Sequence, residues 1–496
     1  MAVSTVNDRL MDRRDLYIGG RWTPPAGGSQ VSVISPSTED PAGSVPLAAT
    51  DDIDRAVAAA RDAFDNGPWP RMTPAERADA LTRVADCLRK RESEIAAVTV
   101  EEMGCAISQA PRAQTGFTAA LFDYYAGLAR TFEFSRTVTA GPRRAGLVDL
   151  EPVGVVAVIV PWNAPVTLAC WKTAPALAAG CPVVIKPAPE APLSNFILAD
   201  AIEEAGLPAG LVSVIPAGRE VGEHLVTHPG TDKVAFTGST AAGKRIMSLC
   251  GEQVKRVSLE LGGKSACVIL DDAPIGEIIP KVVHGAMHLS GQVCGAHTRV
   301  LVPRTAYQAA VEAASAAAAQ VVTGDPHDPA TVVGPLVAER QRDRVLGYVK
   351  LAVDAGARVA AGGGRPAGLP RGWYVEPTVL SDVDNSMRVA REEIFGPVLC
   401  LIPYDGDDEA VAIANDSPYG LSGGVWSADP HRALAAARRL RTGSVAVNGA
   451  YPPFPAVPFG GFKESGLGRE LGPEGLLNFL EPRSIGLPPE LRTASN

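Results

Sequence analysis

Two residues of this chain have the types and settings needed to make and then break an acyl bond. Cys294 stands in Gly291-Gln292-Val293-Cys294, and Glu260 in Leu259-Glu260-Leu261-Gly262-Gly263. A thiolate attacks carbonyl carbon, and a positioned carboxylate deprotonates the water that later releases the acyl group. Two such residues in glycine-marked loops suggest a thioester-forming enzyme. The ordinary alternatives are a small buried hydrophobe for one of eight cysteines and a surface ion-pair partner for the glutamate. Gly262-Gly263 directly after Glu260 indicates a close backbone approach, which favours a site.

These residues need a scaffold, and the pattern of apolar runs supplies one. From about 153 short runs alternate with helical stretches: Val153 to Val160, Val183 to Ile185, Val212 to Ile215, Val234 to Phe236 and Val254 to Leu259. That alternation predicts βαβ units and a parallel sheet. A second series, with strands near Ala266 to Leu270, Thr298 to Val302 and Val398 to Ile402 and a helix from about Tyr307 to Val321, predicts another α/β domain. The N-terminal third reads as a short strand near Tyr17-Ile18 followed by helices. One is capped by Asp51, and another opens on the capping box Thr73-Pro74-Ala75-Glu76. Segment 131–152 and the tail after Phe479 fit neither series and read as an arm that pairs with another subunit.

On this scaffold further groups fall at the carboxyl edge of the first sheet, where open α/β folds bind ligands. Asn163, in Pro161-Trp162-Asn163-Ala164-Pro165, could offer its amide to an oxyanion or serve only as a turn residue. Lys186 ends the next strand, as a ligand contact or a solvated lysine. Gly238 and Ser239 open a strand-to-helix turn that could bring N–H groups to a phosphate. Gly238 to Lys244 matches the start of a nucleotide P-loop, but Arg245 stands where a magnesium-binding Ser or Thr is required, so the NTPase reading is set aside. Glu393, in Glu392-Glu393-Ile394-Phe395-Gly396-Pro397, could be a site residue or a helix-terminal charge.

Bulk properties narrow the classes. The 496 residues are too many for one ordinary core and predict two or three domains. A formal charge of −9 without a long basic run argues against nucleic acid as a partner. No apolar leader or membrane-length run is read, and the scattered cysteines lack zinc-site spacing, so no metal is expected. A reducing cytoplasm is the expected location.

Together these motifs, from Tyr17-Ile18-Gly19-Gly20-Arg21-Trp22 to Gly466-Leu467-Gly468-Arg469-Glu470, resemble the aldehyde dehydrogenase superfamily over nearly the whole chain. The resemblance implies an α/β fold with a Rossmann-type nicotinamide domain (1–130 and 153–259), an α/β catalytic domain (260–450) and a small β oligomerisation arm (131–152 and 478–496). Segment 451–477 is expected to return to the interface of the first two, and the assembly to be a homodimer or homotetramer. Carried over by residue, Cys294 is the nucleophile, Asn163 with the Cys294 N–H the oxyanion hole, and Glu260 the deacylating base. Lys172 and Glu470 support the proton path behind Glu260. Lys186 holds the adenosine ribose, Gly238 and Ser239 the pyrophosphate, and Glu393 and Phe395 the nicotinamide ribose and ring, with Trp162 and Pro189 also at the cofactor. An aldehyde would then pass through a thiohemiacetal, whose oxyanion one donor can stabilise by ~3 kcal/mol, to a thioester and an acid. A thiolate at neutral pH leads us to expect a lowered Cys294 pKa, promoted by cofactor charge and N–H groups rather than a His partner.

Two departures from the family pattern bear on specificity. Pro189 occupies the place where relatives carry an acid against the adenosine ribose, and Glu190 comes one position late. NAD is the expected cofactor, and the element that would exclude NADP is missing. Ala164 and His288 replace frequent aromatics, and Val293 and Gly295 flank the nucleophile. A roomy pocket for bulky apolar or aromatic aldehydes follows, walled by Trp171, Phe459 and the Tyr451-Pro452-Pro453-Phe454 loop. For His288 a core histidine bonded to backbone is the alternative. A coenzyme A-acylating enzyme is the main rival, opposed by Glu260, and a non-catalytic binding protein on the same fold the second.

Overall fold

The computed structural model describes residues 8–139, 145–449, 454–488 and 491. Five parallel strands form the middle of an eight-stranded sheet, in the order Val212–Val214, Val183–Lys186, Val156–Ile159, Lys233–Thr237 and Arg256–Glu260. Counted along the chain that order is 3-2-1-4-5, so the connections diverge between Val156–Ile159 and Lys233–Thr237 and leave a crevice at their carboxyl ends. Leu16–Ile18 and Gly466–Leu467 add antiparallel strands toward the two edges, the latter through Leu259↔Leu467 and Glu260↔Gly466.

Both faces of this sheet are covered, which explains its continuous runs of Val, Ile and Ala. Val156, Val158, Val183 and Ile185 face one apolar cluster, while Ala157, Ile159 and Val184 face another. Helix Pro165–Ala179 on the first face starts with a proline at its first turn and is buried all round, as its near-unbroken apolar sequence requires.

A seven-stranded second sheet runs Arg358–Ala361, Thr378–Ser381, Val398–Tyr404, His297–Pro303, Ser265–Ile269, Ser422–Trp426 and Ser444–Val447, parallel except at its first strand. Ser135–Thr139, Ala145–Pro152 and Leu480–Gly486 form a separate three-stranded antiparallel sheet, seven residues of the last pairing from Leu480↔Pro152 to Gly486↔Gly146.

Local expectations are met with small shifts. Thr73 accepts from the N–H of Glu76, and the Glu76 carboxylate accepts from the N–H of Thr73 at 2.7 Å, completing the capping box. The expected Asp51 cap is corrected. Helix Thr50–Asp65 begins after Ala49, and Asp52, one residue on, reaches back to the Ala49 N–H at 2.9 Å and to the N–H of Ala26. From the third helical position Asp52 meets the unpaired N–H groups, whereas Asp51 faces solvent. The run expected to start at Val254 becomes a strand only at Arg256, because Val254 has a left-handed φ of 53°. No helix among the described residues is long and apolar enough to cross a membrane.

Candidate active site

The two chemical loops meet between the sheets. The segment before Cys294 turns through three left-handed residues in succession, Leu289 (φ 48°), Ser290 (φ 57°) and Gly291 (φ 71°). A Cβ on Gly291 would lie 2.1 Å from the carbonyl oxygen of Gly396, so only glycine fits there. Backbone strain of this kind persists only where the surroundings over-determine it. Here the Leu289 N–H donates to the Gln109 side chain at 2.8 Å, the Ser290 hydroxyl to the Gly334 carbonyl at 2.9 Å, and the Gln292 side chain bridges the Leu289 carbonyl and the Val337 N–H. Of the eight cysteines Cys294 alone is not fully buried, which singles it out among them.

The glycines after Glu260 serve the close approach expected of them. A Cβ on Gly263 would stand 2.5 Å from the Cys294 carbonyl oxygen, and one on Gly262 2.6 Å from the Glu393 carboxylate. The Gly263 N–H donates to that carboxylate at 2.9 Å. Asn163, buried at the carboxyl end of strand Val156–Ile159, donates its Nδ2 to the Gln292 carbonyl at 2.9 Å. That bond uses one of two amide hydrogens, leaving the other available beside the Cys294 loop.

Glu260 ends its strand 5 % exposed, with Oε2 unbonded among the described residues. Near it the Lys172 ammonium contacts Glu470 Oε1 at 2.6 Å and donates to the Thr237 hydroxyl at 2.5 Å. Burial, then the neighbouring Glu470 carboxylate, holds the Glu260 carboxyl well above the usual range, against Lys172 and Arg469. A carboxylate held above its ordinary range is the stronger proton acceptor once ionised, which suits proton transfer from water.

The expectation of a lowered Cys294 pKa is corrected for the chain's own groups. Desolvation, then the negative charge of Glu393 and of Glu260, pushes the thiol up to about 12, and the N–H groups of Gly295 and Cys294 oppose this only in part. Loss of water and two nearby carboxylates together outweigh two backbone dipoles.

At the crevice, Ser239 caps helix Thr240–Glu252 by accepting from the Ala242 N–H, and the Gly238 N–H donates to the Glu260 carbonyl at 3.0 Å. Lys186 is buried, donates to the carbonyls of Ala217 (2.8 Å) and Pro187 (3.1 Å), and is lowered to about 8 by desolvation. Pro189 lies partly buried in the turn that follows, while Glu190 is paired with Arg340 across the cleft. Trp162 packs edge-on to Phe395 with centroids 5.4 Å apart, and Phe395 has a left-handed φ of 64°. Burial raises Glu393 to about 7, opposed by the Gly263 N–H, Arg344 and Lys264.

The aldehyde-side residues divide. Trp171 and Phe459 stack edge-to-face at 5.2 Å, and Phe117 lies 5.6 Å from Trp171. Ala164 and Cys294 pack against this same cluster. Val293 packs elsewhere, with Trp162 and Leu289. His288 is partly buried near Arg112 and His284, and burial lowers its pKa. Gly295 borders Ser422, and Phe454 is 45 % exposed. Tyr451, Pro452 and Pro453 lie outside the described residues.

Several contributors carry no motif of their own. Phe117 joins the aromatic wall. Gln341 donates to the Phe395 carbonyl at 2.8 Å and Arg344 to the Glu393 carbonyl at 2.6 Å, both from helix Glu339–Asp354. Their only sequence signal is that they share one face of a helix, at i and i+3.

A switch-point crevice, a cysteine on a strained loop and a buried glutamate near it define an α/β enzyme with a cysteine-centred site at the carboxyl edge of its sheet. Residues 22–485 match the aldehyde dehydrogenase family. The chain is 45 % identical over 477 residues to a geranial dehydrogenase of Castellaniella defragrans, covering 96 % of this chain and 99 % of that one. It superposes at a TM-score of 0.94 and 44 % identity on an aldehyde dehydrogenase of Mycobacterium tuberculosis complexed with NAD+, over 96 % and 99 % of the two chains. An aldehyde dehydrogenase C mutant of Pseudomonas syringae with NAD+ and octanal matches at 0.91 and 41 %, over 95 % and 96 %. The chain belongs to the aldehyde dehydrogenase family, and it is an enzyme that oxidises aldehydes to carboxylic acids.

Proposed function

We propose that this enzyme oxidises a bulky, apolar aldehyde with NAD, in the cytoplasm and as a homodimer or homotetramer. The observation that carries the reading is the junction of the two loops, with Gly263 against the Cys294 carbonyl and the Asn163 amide tied to the residue two before Cys294. The residues fit a nicotinamide dinucleotide. Gly238 and Ser239 open a helix N-terminus at the switch point, the Glu393 carboxylate is held beside the catalytic loops by the Gly263 N–H, and Phe395 packs against Trp162. A nicotinamide held there would supply the hydride acceptor. The 1–130 and 153–259 segments would hold it, 260–450 the chemistry, and 131–152 with 478–496 the contacts between subunits.

The chain's own groups do the rest. Cys294 Sγ, after losing its proton, attacks the aldehyde carbon. The free N–H of Asn163 and the backbone N–H of Cys294 receive the negative oxygen of the thiohemiacetal. Loss of hydride leaves a thioester on Cys294. Glu260 then takes a proton from water, whose oxygen displaces the sulfur and forms the acid. Lys172 and Glu470 stand behind Glu260 to carry that proton away.

The substrate class rests on the Trp171, Phe459 and Phe117 wall, on Ala164 in place of a larger residue, and on the likeness to a geranial dehydrogenase. Pro189 places no carboxylate against the adenosine ribose, and Glu190 is neutralised by Arg340, so NADP is accepted as a weaker cofactor. A panel of aldehydes assayed with NAD and NADP, with and without coenzyme A, tests all of this. Terpenoid or aromatic aldehydes should be preferred to acetaldehyde and yield the free acid without coenzyme A. Far better turnover of acetaldehyde would sink the large pocket, and an acyl-coenzyme A product the hydrolytic reading.

A further inference from the structure

The geometry points to Gln114 as the residue that positions Asn163 for oxyanion binding. This rests on the role given to Asn163 above. Gln114 lies in a single π turn, Pro111–Thr115, that leads into helix Gly116–Thr131, and its side chain is fully buried. Its Nε2 donates to the main-chain carbonyl of Asn163 at 3.2 Å, with a weaker contact to the Met103 sulfur at 3.5 Å. π turns of this kind are frequent at functional sites.

The segment that Gln114 grips needs holding. Ala164, next to Asn163 and before Pro165, has φ −148° and ψ 63°, outside the extended region that a residue preceding proline prefers. The peptide between Asn163 and Ala164 would relax if its carbonyl were released, and the Asn163 side chain would turn with it. The same π turn is tied a second time, since the Thr167 hydroxyl bonds the carbonyls of Ala113 and Gln114 at 3.2 Å each. On its far side Asn163 is held by the Gln292 carbonyl at 2.9 Å. Backbone and amide are thus fixed from opposite directions, and the second amide hydrogen is left with one orientation.

Packing alone gives no reason for a glutamine here. Its Oε1 is buried without a partner among the described residues, a cost that a leucine or methionine of similar size would avoid. The polar group is retained where its only strong bond goes to Asn163.

The test is a double-mutant cycle read on the pre-steady-state burst of NADH. Gln114→Leu and Gln114→Met should each slow the burst by about tenfold, the scale of one lost hydrogen bond, while the Kd for NAD is unchanged. In an Asn163→Ala background the same substitutions should slow the burst by less than about twofold. Equal losses in both backgrounds, no loss in the wild-type background, or loss of NAD binding by both variants would each overturn the assignment. A wild-type burst in Asn163→Ala alone would overturn the oxyanion role itself, and this inference with it.

Discussion

At the scale of single residues, the site is a contest between charge and burial. Cys294 and Glu260 are both pushed toward their protonated forms, the first to about 12 and the second well above the carboxylate range, chiefly because the protein removes them from water. Each must lose a proton to act, so the burst rate and the steady-state rate should both climb as pH rises through neutrality. A flat profile between pH 6 and 9 would contradict the environment described. The division of labour is separable. Glu260→Gln should keep the burst of NADH and lower steady turnover by about 10²-fold or more, because only deacylation uses the base. A variant that loses the burst as completely as Cys294→Ala would assign Glu260 to acylation instead. These two residues stood out in the sequence as candidates because glycine-marked motifs carry them, and Asn163 because it lies between two prolines at the carboxyl edge of the sheet. Their ionisation was not legible there. A lowered thiol was expected, and it is burial, reinforced by the nearby Glu393 and Glu260 carboxylates, that reverses the direction.

At the scale of elements, buried polar groups anchor the helices that hold the crevice. Glu102, fully buried on helix Glu92–Met103, accepts from the N–H groups of Leu193 (2.6 Å) and Ser194 (3.2 Å) and so caps helix Leu193–Glu204 from a neighbouring element. Burial lifts its carboxyl from 4.5 to about 7, against those N–H groups. The folded chain therefore holds this proton more tightly than the unfolded one. The stability it confers is complete below pH 4.5 and is lost as pH rises through about 7. Glu102→Gln, which accepts the same bonds without ionising, should flatten the fall in Tm between pH 5 and 7.5, and an unchanged difference would refute the assignment. Nothing in the sequence links residue 102 to 193. The capping box at Thr73 was legible because donor and acceptor lie three residues apart, whereas the Asp51 assignment missed by one position because the helix begins directly after Ala49 and it is Asp52, at its third position, that reaches back to the Ala49 N–H.

At the scale of the molecule, two largely parallel sheets supply the loops of the site, and a third small sheet has its edge strand Ser135–Thr139 largely exposed. An exposed edge strand on such an arm is the place proposed for a second subunit to pair. Sedimentation at micromolar concentration should show a mass of two or four chains, and a single-chain mass would remove the arm's proposed role. The order of strands and helices and the carboxyl-edge placement of Asn163, Lys186 and Ser239 were determined by the sequence alone, as was the choice of Cys294 and Glu260 as candidate nucleophile and base. Each depends on local periodicity or on a motif a few residues long. Which groups then touch was decided only by tertiary structure. Gln114 on Asn163, Arg344 on the Glu393 carbonyl, Arg340 on Glu190 and Phe117 on Trp171 join positions 49 to 150 residues apart. No local pattern encodes such contacts, because they arise from how the sheets and helices pack and from the burial that packing imposes.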